Sequence, residues 1–282
     1  MTVGGPCAPA ETAGDDPRLG GTVRRVPVEG GSLTVETIGV GPPLILLHGW
    51  TLDRRMWTPQ VAALARHYQL IAYDRRGFGQ SSAPPDLPRE PADVKAVAAA
   101  FGIDRFALIG MSQGARVALG FAARWPGQIT ALVLQGSPFP APHGDTQDHE
   151  ALPIGEMRRL ARAGRLDDLR ALWSAHPLMH LHLATTEPLR AAMLADYVAR
   201  DLIAPPTWLM IAAERLSHIT VSTLIITGEE EPLARQSASA RLTERLPAAT
   251  SHIIAGAGHL ANLDNPAAYN AALLYFLDQS RG

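Results

Sequence analysis

Residues 110–114 read Gly-Met-Ser-Gln-Gly, a G-x-S-x-G pentapeptide that restricts this chain more than any other stretch. Before it, Phe106 to Ile109 is an apolar run as long as one buried strand. After it, Val117, Ala118, Phe121 and Ala122 recur at helical spacing within Ala115 to Arg124. A strand that turns straight into a helix leaves no room for β-carbons beside the turn, which explains a glycine on each side. Such a turn lifts the Ser112 hydroxyl clear of the sheet. It sits above a helix N-terminus whose free N–H groups favour developing negative charge. Ser112 is the candidate nucleophile. A bare G-x-S-x-G arises by chance in chains rich in Gly and Ala, but a strand before it and a helix after it are the context the chemistry demands.

The rest of the chain limits what that serine can serve. At 282 residues there is room for one large α/β domain or two small ones. Hydrophobic residues at 46% and charged residues at 18% supply an ample core. A net charge of −2 gives no basic field, so no nucleic-acid partner is expected. The single cysteine, Cys7, rules out an intramolecular disulfide and a cysteine metal cluster. No apolar run approaches the roughly 18 residues of a membrane span, so no membrane partner is expected. Residues 1–21 lack the basic start and apolar run of a secretory signal; they read as a mobile leader, and a cytoplasmic location is expected.

Taken in order, Thr22–Val28 and Ser32–Ile38 alternate in polarity around Gly30-Gly31, as in a hairpin. Pro43–Leu47 is apolar on both faces, a buried strand that ends in His48-Gly49-Trp50. A helix is expected over Met56–His67. A strand at Leu70–Tyr73 runs into Asp74-Arg75-Arg76-Gly77-Phe78-Gly79-Gln80-Ser81. A Pro-rich loop (Ala83–Pro91), a helix (Ala92–Phe101), the elbow and a strand at Thr130–Gln135 follow. Buried strands alternating with amphipathic helices imply a parallel sheet covered on both faces, with its sites at the carboxyl ends of the strands. His48, Asp74 and Ser112 all fall at such ends. Residues 137–220 break the rhythm: helical patterns near Glu156–Ala175, Glu187–Ile203 and Thr207–Leu216 occur with no buried strand. A helical cap over the strand ends is expected there. Within it, Trp173, Met179, Trp208 and Met210 stand at helical spacing and are read as core rather than pocket lining. The rhythm resumes with a strand at Thr223–Thr227, a helix at Ala234–Leu246, a strand at Ser251–Ile254 and a helix at Pro266–Leu277.

A serine hydroxyl needs a base within hydrogen-bond reach. Five of the ten histidines (His143, His149, His176, His180 and His182) lie in the expected cap, where surface or pocket-lining roles are the ordinary ones. His259 follows a strand and the flexible Gly256-Ala257-Gly258, and it satisfies the chain order serine, acid, histidine. It is the candidate base; His48 precedes the serine and is read as structural. The acid is expected after the strand Thr223–Thr227, where the chain reads Gly228-Glu229-Glu230-Glu231-Pro232. Any of the three glutamates could serve on chemical grounds. The backbone N–H groups of Gln113 and of Trp50, after the third strand, are the candidate oxyanion donors.

These motifs, from Leu46-Leu47-His48-Gly49-Trp50 through Gly256-Ala257-Gly258-His259, resemble the α/β-hydrolase superfamily over about residues 22–136 and 221–280. The resemblance implies an eight-stranded, mostly parallel sheet, with a hydrolase core of residues 22–136 and 221–282 and a cap of residues 137–220 after the sixth strand. It also implies a Ser-acid-His triad. Family members commonly carry Gly-x-x-Asp-x after the seventh strand, which places the acid at Glu231, a departure from the commoner aspartate. The other position used in the family, after the sixth strand, is Gly136-Ser137 and offers no carboxylate. Asp264 matches a position read as capping the last helix. The stretch Trp50–Trp57 and the short cap look similar to small carboxylesterases and 3-oxoadipate enol-lactonases. The expected activity is hydrolysis of a small-molecule carboxylic ester or lactone, with no metal or organic cofactor. Hydrolysis of a C–C bond in a vinylogous diketone by the same triad is a second reading. A non-catalytic small-molecule binding protein is a third.

Overall fold

The computed structural model describes residues 18–137, 152–183 and 186–280. Cys7, His143 and His149 lie outside the described residues, as does most of the leader. Strands β1 (Thr22–Val28), β2 (Gly31–Ile38), β3 (Pro43–Leu47), β4 (Gln69–Tyr73), β5 (Phe106–Met111), β6 (Ile129–Gln135), β7 (Thr223–Gly228) and β8 (Ala249–Ile254) form one sheet. Its order is β1-β2-β4-β3-β5-β6-β7-β8. The hairpin β1–β2 is antiparallel and joins β4 antiparallel; every other pairing is parallel. The eight-stranded, mostly parallel sheet expected from the motifs is therefore present.

The helices are α1 (Thr58–Leu64), α2 (Glu90–Ala100), α3 (Gln113–Arg124), α4 (Ile154–Arg162), α5 (Leu166–Ser174), α6 (Glu187–Asp196), α7 (Arg200–Ile203), α8 (Leu233–Arg245), α9 (Ala261–Asp264) and α10 (Pro266–Gln279). Prolines in the first turn open α1, α2, α6 and α10, where no intrahelical N–H is lost. The strand side chains alternate between two cores. Leu44, Leu46, Ile109, Met111 and Val133 face α1, α9 and α10. Ile45, Leu47, Leu108, Leu132 and Leu134 face α2, α3 and α8. Strands buried on both faces need this continuous apolar sequence. The chain passes from β3 outward to β4 and then back across to β5, so connections leave the sheet in opposite directions between β3 and β5. A crevice opens at the carboxyl ends of strands at such a reversal.

Four expectations change in the structure. The expected helix at Met56–His67 is a 3₁₀ turn (Arg54–Trp57) followed by α1. Residues 207–216 are not a helix. After Pro205-Pro206 the chain is irregular until a 3₁₀ segment at Ala213–His218. Leu209 is buried while Trp208 and Met210 are exposed, an in-out alternation of extended chain. Residues 18–21, read as leader, are tied down: the amides of Arg18, Leu19 and Gly21 donate to the Glu36 carboxylate at 3.0, 2.8 and 2.9 Å. Finally, Asn265 rather than Asp264 caps α10, accepting from the Ala268 amide at 3.2 Å. Among the described residues, no helix is long and apolar enough to cross a membrane.

Candidate active site

Ser112 stands between β5 and α3 with φ 52° and ψ −114°, a left-handed backbone that a non-glycine residue rarely holds. Its amide is anchored on the Gln135 carbonyl of β6 at 2.8 Å. Both glycines of the pentapeptide are needed for close approach. A β-carbon on Gly110 would meet the Gly114 carbonyl oxygen at 2.4 Å, and one on Gly114 would meet the Leu47 and His48 oxygens at 2.5 Å. The elbow is thus wedged between its own helix and the end of β3. The Trp50 and Gln113 side chains frame the serine, and neither backbone amide meets an acceptor among the described residues.

The loop after β8 carries His259 back over the sheet. Its carbonyl accepts from Gln135 Nε2 at 3.1 Å, and the Gly258 amide donates to Asp264 Oδ2 at 2.8 Å. Asp264 also accepts from the Leu183 amide at 2.7 Å, so it fastens the histidine loop to the segment between α5 and α6. His259 Nδ1 is hydrogen-bonded to Glu231 Oε1. Of the three neighbouring glutamates, Glu231 alone is buried; Glu229 and Glu230 are exposed. Glu229 instead accepts from the Gly256 amide at 2.8 Å. Glu231 Oε2 is buried without a partner, so among the described residues the imidazole is the one hydrogen-bond partner of this carboxylate.

His48 is not part of this pair. Its Nε2 accepts from the Arg75 amide at 2.9 Å, which leaves Nδ1 to donate to the Gly49 carbonyl at 2.8 Å. Burial, helped by the Arg75 charge, holds this imidazole well below its usual range and therefore neutral. The structural reading of His48 stands on that geometry. Arg75, buried as well, donates to the His48 carbonyl at 2.8 Å, to Glu90 at 2.5 and 3.1 Å, and to Gln113 Oε1 at 2.5 Å. It ties the ends of β3 and β4 to the starts of α2 and α3. Burial pushes the Glu90 carboxyl up against the pull of Arg75. Asp74 is structural too, accepting from Arg54 Nη1 at 2.6 Å and from the Gln80 amide at 2.7 Å.

Ser112, His259, Trp50 and Gln113 line one cavity of about 270 Å³, walled by Met111 and Leu260 below and by Leu152, Ile154, Trp173, Leu178 and Met179 from the chain between β6 and β7. Trp173 and Met179 are core residues that also form this wall. Trp208 and Met210 depart from the core expectation: Trp208 is exposed at the cavity edge, and Met210 is exposed outside it. His176, His180 and His182 do not line the cavity. A link invisible in the sequence fixes Trp50: its indole donates to Asp201 Oδ2 at 2.5 Å, and the Tyr197 hydroxyl donates to Asp201 Oδ1 at 2.7 Å. Arg75 stands in a motif without a role and Asp201 in none, because Glu90 and Trp50, which they hold, lie 15 and 151 residues away in the chain.

Comparison with known proteins follows the geometry. The family model for the alpha/beta hydrolase fold matches residues 42–266. A Synechocystis protein provisionally named a non-heme chloroperoxidase is 28% identical over 262 residues, covering 86% of this chain and 93% of that protein. An Agrobacterium fabrum protein provisionally named the carbamate hydrolase RutD is 27% identical over 257 residues, covering 84% of this chain and 93% of that protein. Among solved structures, carboxylesterase CesB from Bacillus subtilis superposes with a TM-score of 0.73 at 23% identity, covering 91% of each chain. With a family match across most of its length, an elbow between β5 and α3 and an eight-stranded sheet behind it, this chain belongs to the α/β-hydrolase family.

Proposed function

We propose that the protein is a serine hydrolase that cleaves a carboxylic ester or lactone through an acyl-enzyme on Ser112. The observation that carries this reading is the buried Glu231–His259 pair beside the strained Ser112 elbow, opening on a single cavity. Glu231 fixes the tautomer in which Nδ1 carries the proton, leaving Nε2 free to accept one from Ser112. The serine oxygen attacks the carbonyl, and the protonated imidazole, stabilised by the Glu231 carboxylate, hands its proton to the departing alcohol. Water then enters, gives a proton to His259 and attacks the acyl carbonyl. The bond to Ser112 breaks, the serine oxygen takes the proton back from His259, and the acid leaves. In both tetrahedral states the oxyanion takes N–H bonds from Trp50 and Gln113, each worth about 3 kcal/mol of transition-state stabilisation. The wall formed by the helices between β6 and β7 acts as a cap that excludes water from the acyl group. A carbamate, on which RutD is named to act, presents the same carbonyl to the same groups and belongs in the substrate screen.

Hydrolysis of short-chain nitrophenyl esters by wild type and by Ser112→Ala, His259→Ala and Glu231→Gln tests the reading. Ser112→Ala and His259→Ala are expected to fall to background, and Glu231→Gln to lose about three to four orders of magnitude in kcat. An undiminished rate in Ser112→Ala contradicts the mechanism.

A further inference from the structure

The cavity that holds Ser112 is also lined by Arg116, Arg158 and Arg235. Arg116 lies one turn along α3 from the serine, its amide bonded to the Ser112 carbonyl at 3.1 Å. Arg158 comes from α4 and Arg235 from the first turn of α8, so separate parts of the chain bring positive charge to one space. The acidic groups around the same cavity are already engaged. Glu90 is held by Arg75, Asp201 by Trp50 and Tyr197, and Asp86 by Arg89 at 2.8 Å. The fourth arginine of the lining, Arg76, is bidentate on Asp93 at 2.6 and 2.7 Å.

Arg116 and Arg158 differ from these. Neither guanidinium has a hydrogen-bond or ion-pair partner among the described residues, and Arg158 Nε is buried with its donor unsatisfied. A buried, unsatisfied charged donor costs stability, and the side chain that carries it lines the cavity in which a ligand would sit. Burial and the nearby Arg235 charge both lower the affinity of Arg116 for its proton, as expected of a cation drawn out of water beside another. A planar guanidinium fork matches a carboxylate in shape as well as charge.

We infer that the physiological substrate is an ester or lactone that carries a free carboxylate, held by Arg116 and Arg158 while Ser112 attacks its other carbonyl. The inference rests on the serine-hydrolase reading of the same site and adds to it the class of substrate. It makes the product of an acyclic substrate either a dicarboxylate or an alcohol bearing a carboxylate, according to which half of the ester holds the charge. A cyclic substrate opens to a hydroxy dicarboxylate.

Two matched pairs of esters place the charge in turn on each half. On the acyl side, p-nitrophenyl hydrogen glutarate is compared with p-nitrophenyl valerate. On the alcohol side, p-carboxyphenyl butyrate is compared with p-carbamoylphenyl butyrate. At low ionic strength at least one pair is expected to show a kcat/KM ratio, anionic over neutral, of about tenfold or more. That ratio is expected to fall by about tenfold in Arg116→Gln and in Arg158→Gln, and Arg158→Lys to recover part of it. Both ratios at or below unity, or a preference that both Gln variants leave intact, overturns the inference while leaving the hydrolase reading in place. If wild type hydrolyses none of the four and an active-serine phosphonate leaves it unlabelled, the hydrolase reading itself fails. Calorimetry on Ser112→Ala then decides the arginine question without turnover. Monomethyl glutarate binding more tightly than dimethyl glutarate, with the difference lost in the Gln variants, supports the inference; equal binding overturns it.

Discussion

A β-carbon at position 136 would stand 2.7 Å from Cε1 and 2.8 Å from Nδ1 of His259, and 3.3 Å from Glu231 Oε1. Gly136, with φ +54°, therefore leaves the imidazole its place against the carboxylate as well as turning the chain after β6. Gly136→Ala is expected to lower kcat by about a hundredfold through misplacement of the base, and to cost about 1–3 kcal/mol of stability through the left-handed backbone. Ester kinetics and denaturant unfolding check the two effects, and unchanged kcat in a destabilised protein would separate the backbone from the ring. At this scale the sequence is uneven. Ser112 and His259 stand in short motifs whose spacing carries their geometry. Glu231 is chemically indistinguishable from its two neighbours until the turn is built, because burial on His259 is what separates them. Asp264 reads in the sequence as the cap of the last helix and not as the anchor of Gly258 and Leu183, since those partners lie on other segments.

Elements meet through a few buried polar side chains, and His48 is one whose proton balance can be measured. It joins the end of β3 to the loop after β4 as a neutral ring, accepting from the Arg75 amide. Its folded-state affinity for a proton is depressed by burial, so the unfolded chain protonates first as pH falls. The contribution is fully present above about pH 6.5 and is lost below it, with a slope approaching about 1.4 kcal/mol per pH unit. Glu90, Asp93 and Asp201, whose carboxyls burial pushes up, act in the opposite sense as pH falls. The difference between wild type and His48→Gln cancels them. Unfolding free energies of the two between about pH 6.5 and 5 are expected to converge as pH falls, and parallel curves would contradict a neutral His48. Element types were readable wherever hydrophobic period and length agreed, as in β3, β5 and α3. The misread stretch, residues 207–216, is short, follows two prolines and buries only alternate side chains, which a helical template does not distinguish from a sparse helix.

Across the whole molecule the sheet order places the candidate site. The reversal between β3 and β5 opens the crevice into which Trp50 projects from one strand end and Ser112 from the next, while β7 and β8 deliver Glu231 and His259 from the side. That layout followed from the alternation of strands and helices in the sequence. The arginines around the cavity, the Trp50–Asp201 link and the wall contributed between β6 and β7 did not, because each depends on which distant residues the fold brings together. The most direct test of the central claim is intact-mass and peptide mass spectrometry after exposure to a fluorophosphonate, an analogue of the acyl-transfer transition state. The account predicts one adduct per chain, on Ser112, absent in Ser112→Ala and formed far more slowly in His259→Ala. No adduct on an otherwise folded wild type, or an adduct on another residue that persists in Ser112→Ala, would contradict it.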